Sequence, residues 1–404
     1  MSKIEELIEQ YCPDGVEFKF LWELTAWDKK FNAVERSKQK KVINYHYFLA
    51  GDLKPLIREN GKVKILTTNV SELFTDEELV DGFVSDGEVV CIPWGGNPIV
   101  QYYKGKFVTA DNRIATSLDT KVLDNKYLYY VLMNRLQEIA TFYRGSGIKH
   151  PDMSKVLDLR IPVPPLAVQE EIVRILGNFT ELTAELTAEL TARKQQYEFY
   201  RDRLLTFPER GQNVEWKQLS EIANFRNGVG HEKDIVADGK YIVVNSKFIS
   251  TNGLVKKYSE NQLSPLYTND ILMVMSDLPN GKALAKCFLV DENERYTLNQ
   301  RICALTNKDE QSLDVKFLFY VLNRNNQLLR YDNGVDQTNL KKDDILNIYI
   351  PIPALKEQKE IVEQLDKFDK IVNDLTTGLP AEIEARQQQY EYYRNKLLTF
   401  KEKV

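Results

Sequence analysis

Residues 161–176 read IPVPPLAVQEEIVRIL and residues 350–365 read IPIPALKEQKEIVEQL, an offset of 189 residues. Internal similarity at a fixed distance decides the architecture before any local propensity does. Working outward from this block, YLYYVL at 127–132 pairs with FLFYVL at 317–322, an offset of 190. ARKQQYEFYRDRLLTF at 192–207 pairs with ARQQQYEYYRNKLLTF at 385–400, an offset of 193. At the front, VEFKFLWEL at 16–24 pairs with VEWKQLSEI at 214–222, an offset of 198. Four matched blocks in the same order make the chain two copies of one unit. The period is far too long for a solenoid, whose repeats run to about 45 residues. Two large copies in one chain instead suggest a pseudo-twofold molecule.

Each copy has a globular part followed by a helical part. The helical parts open on Pro-rich runs, 161–165 and 350–353, and proline suits a helix start because its missing N–H costs nothing there. Apolar residues then recur at spacings of three and four: Ile172, Ile175, Leu176, Phe179, Leu182, Leu186 and Leu190 in the first copy, Ile361, Leu365, Phe368, Ile371, Leu375 and Leu379 in the second. That period belongs to amphipathic helices, and an antiparallel coiled coil is the simplest pairing for a pseudo-dyad. The first copy contains the tandem tetrapeptides Thr183-Ala-Glu-Leu186 and Thr187-Ala-Glu-Leu190. Four residues advance a helix by about one turn plus 40°, so units can be added without burying charge. The second copy reads NDLTTGLPAEIEA there, and Gly378 with Pro380 predicts a kink or break.

The globular parts read as mixed α/β. Short β-rich runs at 88–92, 99–103, 241–244 and 271–275 alternate with turn signals such as Trp94-Gly95-Gly96-Asn97-Pro98 and Leu278-Pro279-Asn280-Gly281. A helix is predicted over 125–143 and again over 315–331. The expected fold class is α+β: two mixed α/β domains in pseudo-twofold arrangement, separated by a long antiparallel coiled coil of two helices. The expected segments are 1–150, 151–209, 210–345 and 346–404.

Composition narrows the function. The 404 residues suggest two or three domains, and a hydrophobic fraction of 43% suffices for their cores. No apolar run approaches the ~20 residues that span a bilayer. The opening MSKIEELIEQYC is acidic and amphipathic, unlike a secretory signal. Cys12, Cys91, Cys287 and Cys303 form no CxxC pair and read as reduced thiols of a cytoplasmic protein. A net charge of −5 argues mildly against a protein that binds nucleic acid alone. The charge is uneven, however: residues 28–64 hold ten Lys/Arg against four acids.

Motifs for catalysis are missing. There is no GxxxxGK[ST] loop, no GxSxG elbow and no Asn-Pro-Pro-Tyr-like methylation motif. His46, His150 and His231 have no metal spacing. Pro13-Asp14 with Glu17-Phe18-Lys19 superficially imitates a nuclease signature, but the acids are too close together to lie on neighbouring strands. The candidates for DNA contact lie in loops rich in Gly, Asn, Lys, Arg and aromatics. In the first copy they are Lys38, Lys40, Lys41, Asn69, Trp94, Asn97, Lys104, Lys106 and Arg113. In the second they are Arg226, Asn227, Asn245, Lys247, Ser276, Asn280, Lys282 and Arg301. Arg can pair with guanine edges and Asn with adenine, whereas Lys more often grips phosphate. Arg113 and Arg301 occupy matched positions, in TADNRIATSL and TLNQRICALT, and could equally be structural ion-pair partners.

The duplicated IPxP and Q(E/K)EIV blocks, the QQYEFYRDRLLTF ends and the Thr-Ala-Glu-Leu repeats resemble the specificity subunits of type I restriction-modification complexes, of the IC subgroup. The resemblance covers essentially the whole chain. It implies that each globular part is a target recognition domain for one half of a split site in double-stranded DNA. The helical parts would set the spacer and hold two methyltransferase subunits, and two restriction subunits would join them. It further implies a non-catalytic chain without cofactor, with S-adenosylmethionine, ATP and Mg on the partners. The rival reading, a coiled-coil scaffold without a DNA role, leaves the basic, Gly/Asn-rich loops unexplained.

Overall fold

The computed structural model describes residues 3–207, 214–279, 281–374 and 377–403. The chain forms two compact units, Met1–Glu185 with Glu384–Val404, and Leu186–Ile383.

In the first unit, strand β1 (Glu17–Phe20) is followed by β2 (Thr25–Trp27), β3 (Val63–Leu66), β4 (Phe74–Thr75), β5 (Ser85–Pro93), β6 (Gln101–Thr109) and β7 (Asn112–Ser117). These lead through helix α1 (Asn125–Asn134) to β8 (Arg160–Val163) and the long helix α2 (Leu166–Leu204). Six strands form a mixed sheet in the order β2-β7-β5-β6-β3-β4. All pairs are antiparallel except β3 with β6. The central run 88–92 predicted from sequence lies within β5, where Val89, Val90, Cys91 and Ile92 are all buried. A strand buried on both faces needs no polar alternation.

The second unit contains β9 (Glu215–Gln218), β10 (Ala223–Asn227), β11 (Ile235–Val236), β12 (Tyr241–Val244), β13 (Tyr258–Ser259), β14 (Ile271–Val274), β15 (Cys287–Leu289), β16 (Tyr296–Leu298) and β17 (Ile302–Asn307). Helix α3 (Val315–Leu322), strand β18 (Tyr349–Ile352), helix α4 (Leu355–Asn373) and helix α5 (Leu379–Leu398) follow. Eight of these strands form two four-stranded sheets, β10-β17-β14-β15 and β11-β13-β12-β16, where the first unit has a six-stranded sheet.

The repeat blocks form the same frame twice. Strands β1 and β8 pair antiparallel with Phe18 opposite Pro162, and β9 and β18 pair with Trp216 opposite Pro351. The Gln of each Q(E/K)EIV block is fully buried and fully satisfied. Gln169 donates to Val122 O and Pro164 O, both 2.8 Å, and accepts from Asp124 N at 2.9 Å. Gln358 donates to Ser312 O at 2.9 Å and Pro353 O at 2.8 Å, and accepts from Asp314 N at 2.8 Å. Each glutamine thus ties the Pro-rich lead-in of a long helix to the loop capping α1 or α3. Asp124 and Asp314 in turn cap those helices through their carboxylates.

Two sequence expectations change. The helix expected over 125–143 stops at Asn134 and restarts as Leu136–Thr141. The one expected over 315–331 stops at Leu322, because Arg324 takes a left-handed φ of 57° and Asn325 caps the next helix, Asn326–Leu329. The break predicted at Gly378 and Pro380 is present: α4 ends at Asn373 and α5 begins at Leu379. The second helical part is therefore divided into two helices. The first is a single helix of 39 residues, roughly 60 Å long. Along it, Thr180, Thr183 and Thr191 return their hydroxyls to the carbonyls of Leu176, Phe179 and Thr187.

The helical parts exchange their ends. In the first unit, the first half of α2 meets the last turns of α5, and Phe179 stacks on Tyr393 with ring centroids 5.4 Å apart. In the second unit, the last half of α2 meets α4, and Tyr200 stacks on Phe368, also at 5.4 Å. The two contacts use the same repeat positions. Followed along α2, the partner segments come in reverse chain order, as antiparallel pairing requires. Leu397 and Leu398 complete the first unit's core, while Tyr197, Leu204 and Leu205 pack on the second's. Residues 401–403 run beside Val16: Val16 N donates to Lys401 O and Lys403 N to Val16 O, both 2.9 Å. Gly15, at φ +100°, makes this approach possible, since a Cβ there would lie 2.5 Å from Lys401 O.

Candidate nucleic-acid interface

In the first unit the Gly-rich turn after β5 presents Trp94, half-buried, with Asn97 exposed beside it. Arg113 stands opposite Ile92 in the β5–β7 register, and its guanidinium lies 4.2 Å from the Trp94 ring centroid. Arg113 is only 5% exposed, so its place is beneath the indole and not on the surface. Its Nη1 donates to Asn112 O at 2.8 Å and to Asp28 Oδ2 at 3.4 Å. Asp28 also accepts from Tyr47 Oη and from Ile114 N. Burial pushes the Asp28 carboxyl above its usual range, with the Tyr47 hydrogen bond, Arg113 and the amide pulling the other way. Trp94 is fixed from its main chain as well: its N–H donates to Asp111 O at 2.7 Å, and its carbonyl lies 2.7 Å from His150 Nδ1. Lys29 Nζ also lies near the indole, 5.3 Å from its centroid. The result is an aromatic platform held rigid by a cation beneath it.

The remaining first-unit candidates are dispersed. Lys40, Lys41 and Asn69 are exposed. Lys38 is engaged by Asp158 at 2.6 Å, Lys106 by Glu77 at 2.7 Å and Lys104 by Glu88 at 3.6 Å. Exposed pairs of this kind cost little to open.

In the second unit Arg226 lies on β10, with Nη1 on Pro265 O at 2.7 Å and Nη2 on Asp270 at 3.2 Å, and Asn227 beyond it is exposed. Asn245 caps the helix Ser246–Ser250 through Phe248 N, which leaves exposed Lys247 on that helix. Ser276 is buried and accepts from Gln337 Nε2 at 2.8 Å. Lys282 and Arg301 are exposed, Arg301 with a left-handed φ of 73°. Asn280 lies outside the described residues. The turn before Lys282 is organised by Asp277, whose carboxylate accepts from the amides of Leu278, Ala283 and Leu284.

Sequence reasoning missed Lys29, Asp277 and Gln337. Lys29 carried a signal, since it opens the basic run of 28–64. Asp277 and Gln337 carried none, because their roles depend on loops that meet only in the fold. No group of three or more His, Cys, Asp or Glu among the described residues could hold a metal ion. The four cysteines are buried and unpaired, and burial pushes the Cys91 and Cys303 thiols up to about 12. No helix among the described residues is long and apolar enough to cross a membrane.

The sequence pattern described as the type I restriction modification DNA specificity domain matches residues 20–193 and again 212–385. The chain belongs to this specificity family. The two matched spans repeat the internal duplication, each running through one globular part and into the helix that follows it. Among relatives, the specificity subunit of an Escherichia coli type I restriction enzyme is 35% identical over 71% of this chain and 74% of its own length. A type I restriction enzyme specificity subunit of Haemophilus influenzae is 30% identical over 86% of this chain and 91% of its own. The crystal structure of a type I restriction-modification S subunit from M. genitalium aligns with a TM-score of 0.59. That alignment covers 95% of this chain and 96% of the other at 17% identity, and so attests the shared fold.

Proposed function

We propose that this specificity subunit reads a bipartite site in double-stranded DNA and performs no chemistry itself. The segments 1–150 and 210–345 serve as the two target recognition domains, and 151–209 and 346–404 as the spacer and docking helices. The observation that carries this reading is the repeated clamp of Gln169 and Gln358: one frame, built twice to the same hydrogen bonds, bearing two dissimilar loop sets. A scaffold without a DNA role has no use for such divergence on so strict a frame. Two methyltransferase subunits dock on the helices and carry S-adenosylmethionine, and two restriction subunits supply the ATP- and Mg-dependent cleavage, in the cytoplasm. The Thr-Ala-Glu-Leu repeat supports the IC subgroup.

Within the recognition domains, Trp94, Asn97, Lys40, Lys41 and Asn69 approach DNA from the first, and Asn227, Lys247, Asn280, Lys282 and Arg301 from the second. Lys38, Lys104 and Lys106 reach phosphates by releasing their acids. Arg113, Arg226, Asn245 and Ser276 hold the contacting loops in place. Mapping of methylated adenines in cells carrying this subunit with its partners should return two half-sites on opposite strands. A continuous site, or methyl transfer by the purified chain alone, would refute the reading. Adding a third Thr-Ala-Glu-Leu unit turns the helix by about 40° against roughly 34–36° per base pair. It should lengthen the spacer by about one base pair and leave both half-sites unchanged.

A further inference from the structure

Beside the Trp94 turn stands a second loop. Tyr143–Arg144 pairs antiparallel with His150–Pro151, and the residues between them read Gly-Ser-Gly-Ile-Lys. Gly145, at φ +144°, closes this hairpin, since a Cβ there would lie 2.7 Å from Ile148 O. The hairpin and the Trp94 turn brace each other. Gly96 N donates to Lys149 O at 3.0 Å, Tyr143 Oη donates to Pro93 O at 2.8 Å, and His150 Nδ1 lies 2.7 Å from Trp94 O. Ile148 stands at the tip. Its side chain touches the backbone of the turn, because a Cβ on Gly95 would lie 2.9 Å from Ile148 Cγ2, yet the residue is 69% exposed.

Lone exposed aliphatic side chains are ordinary on a protein surface. Ile148 differs in being held out on a braced hairpin and in the charge around it. Arg144 and Lys149 flank it, both exposed, and residues 143–151 contain no acid. Among the described residues no ion pair holds either cation. Asp152, just beyond, is engaged by the hydroxyl and amide of Ser154. The matched loop of the second unit, residues 332–340, supplies the contrast. It too has an exposed aliphatic residue, Val335 at 74%, and it is braced on its own turn through Ser276–Asp277 with Thr338–Asn339. It carries Asp332 and Asp336, however, and no cation.

We propose that the hairpin 143–151 enters the major groove of one half-site and lays Ile148 against the methyl group of a thymine. This rests on the function proposed above and adds a specificity-determining residue to it. The major groove, about 12 Å wide, admits a two-stranded ribbon, and the thymine methyl is the apolar group that a base edge offers there. An aliphatic side chain forms no hydrogen bond, so the base it selects is selected by apolar contact. Arg144 and Lys149 supply charge for the phosphates along the groove walls. The Trp94 turn holds the tip in place beforehand, which spares the ordering cost of binding. In the second unit Asp332 and Asp336 would meet those phosphates, so Val335 has no such role.

The test uses the full chain assembled with its methyltransferase, on duplexes carrying the mapped bipartite site. Each thymine of the site is replaced in turn by deoxyuridine, which lacks only the methyl. One replacement, in one half-site, should weaken wild-type binding about fourfold, the worth of one buried methyl. Ile148→Ala should bind the unmodified site about fourfold less tightly and be indifferent to that replacement. Ile148→Leu, which keeps an aliphatic tip, should stay sensitive to it, and Val335→Ala should behave as wild type. A loosened loop would weaken binding without singling out one methyl. Wild-type binding that ignores every replacement overturns the contact, as does a replacement that costs Ile148→Ala as much as wild type. A kink in the bound duplex that vanishes in Ile148→Ala, with thymine replacement silent, assigns the tip to a stacking wedge and also overturns it. A wild-type complex that prefers no bipartite site overturns the functional reading itself.

Discussion

Arg113 and Arg301 occupy one position of the repeat and have opposite fates. In the first globular part the arginine is buried, sandwiched between Trp94 and Asp28. In the second it is exposed, on a left-handed backbone at the start of β17. The strand pairs that lead into the long helices nevertheless agree, since β1–β8 and β9–β18 pair in identical register. Duplication has therefore fixed what faces the helices and left free what faces away. Keeping a residue type does not keep its job when the loop above it changes: an indole caps the first arginine, and among the described residues no aromatic ring caps the second.

The comparison can be broken most directly at the arginines. Arg113→Ala leaves Asp28 buried without its cation and should cost ~3 kcal/mol of unfolding free energy, measured by denaturant titration. Arg301→Ala should change stability by less than ~0.5 kcal/mol while weakening DNA binding about tenfold. Equal stability losses would erase the distinction. Next in size, Gln169→Ala and Gln358→Ala each strand one amide and two carbonyls in the interior, about 2–3 kcal/mol apiece. The two losses should agree closely if the frames are equivalent, and a large difference in thermal or chemical unfolding would show that they are not.

The smallest effect sharpens the comparison by pH. Glu171 is held down to about 2, chiefly by its hydrogen bond from Arg174 and also by Lys3, whereas its repeat partner Glu360 is exposed and 3.9 Å from Lys356. The native state thus releases the Glu171 proton at lower pH than the unfolded chain. Its contribution is complete above pH 4.5 and is lost as pH falls toward about 2. Glu171→Gln should flatten that acid limb of the stability curve, and Glu360→Gln should leave it unchanged.

The frame was legible in the sequence because its blocks are duplicated and its helices are periodic. Strand β12 matches its sequence expectation, and the helix break at Gly378 falls where proline chemistry puts it. The exchange of helical ends was not legible. Periodicity shows that Leu204 and Leu397 are apolar but says nothing about which copy they cover. The burial of Arg113 was equally hidden, since its partner Asp28 is 85 residues away in sequence. The candidate contact loops gave residue types without neighbours. Which of Lys38, Lys40 and Lys41 is already paired depends on Asp158, on a distant loop.

The exchanged helix ends also set a timetable for synthesis. Every segment of the second unit lies within Leu186–Ile383, whereas the first unit needs Leu397 and Leu398 to close its core. Domains usually mature on the ribosome in the order in which they are made. Here the order inverts: the half translated later has all its parts first. The half translated earlier must keep an apolar surface waiting, and protected, through nearly two hundred further residues.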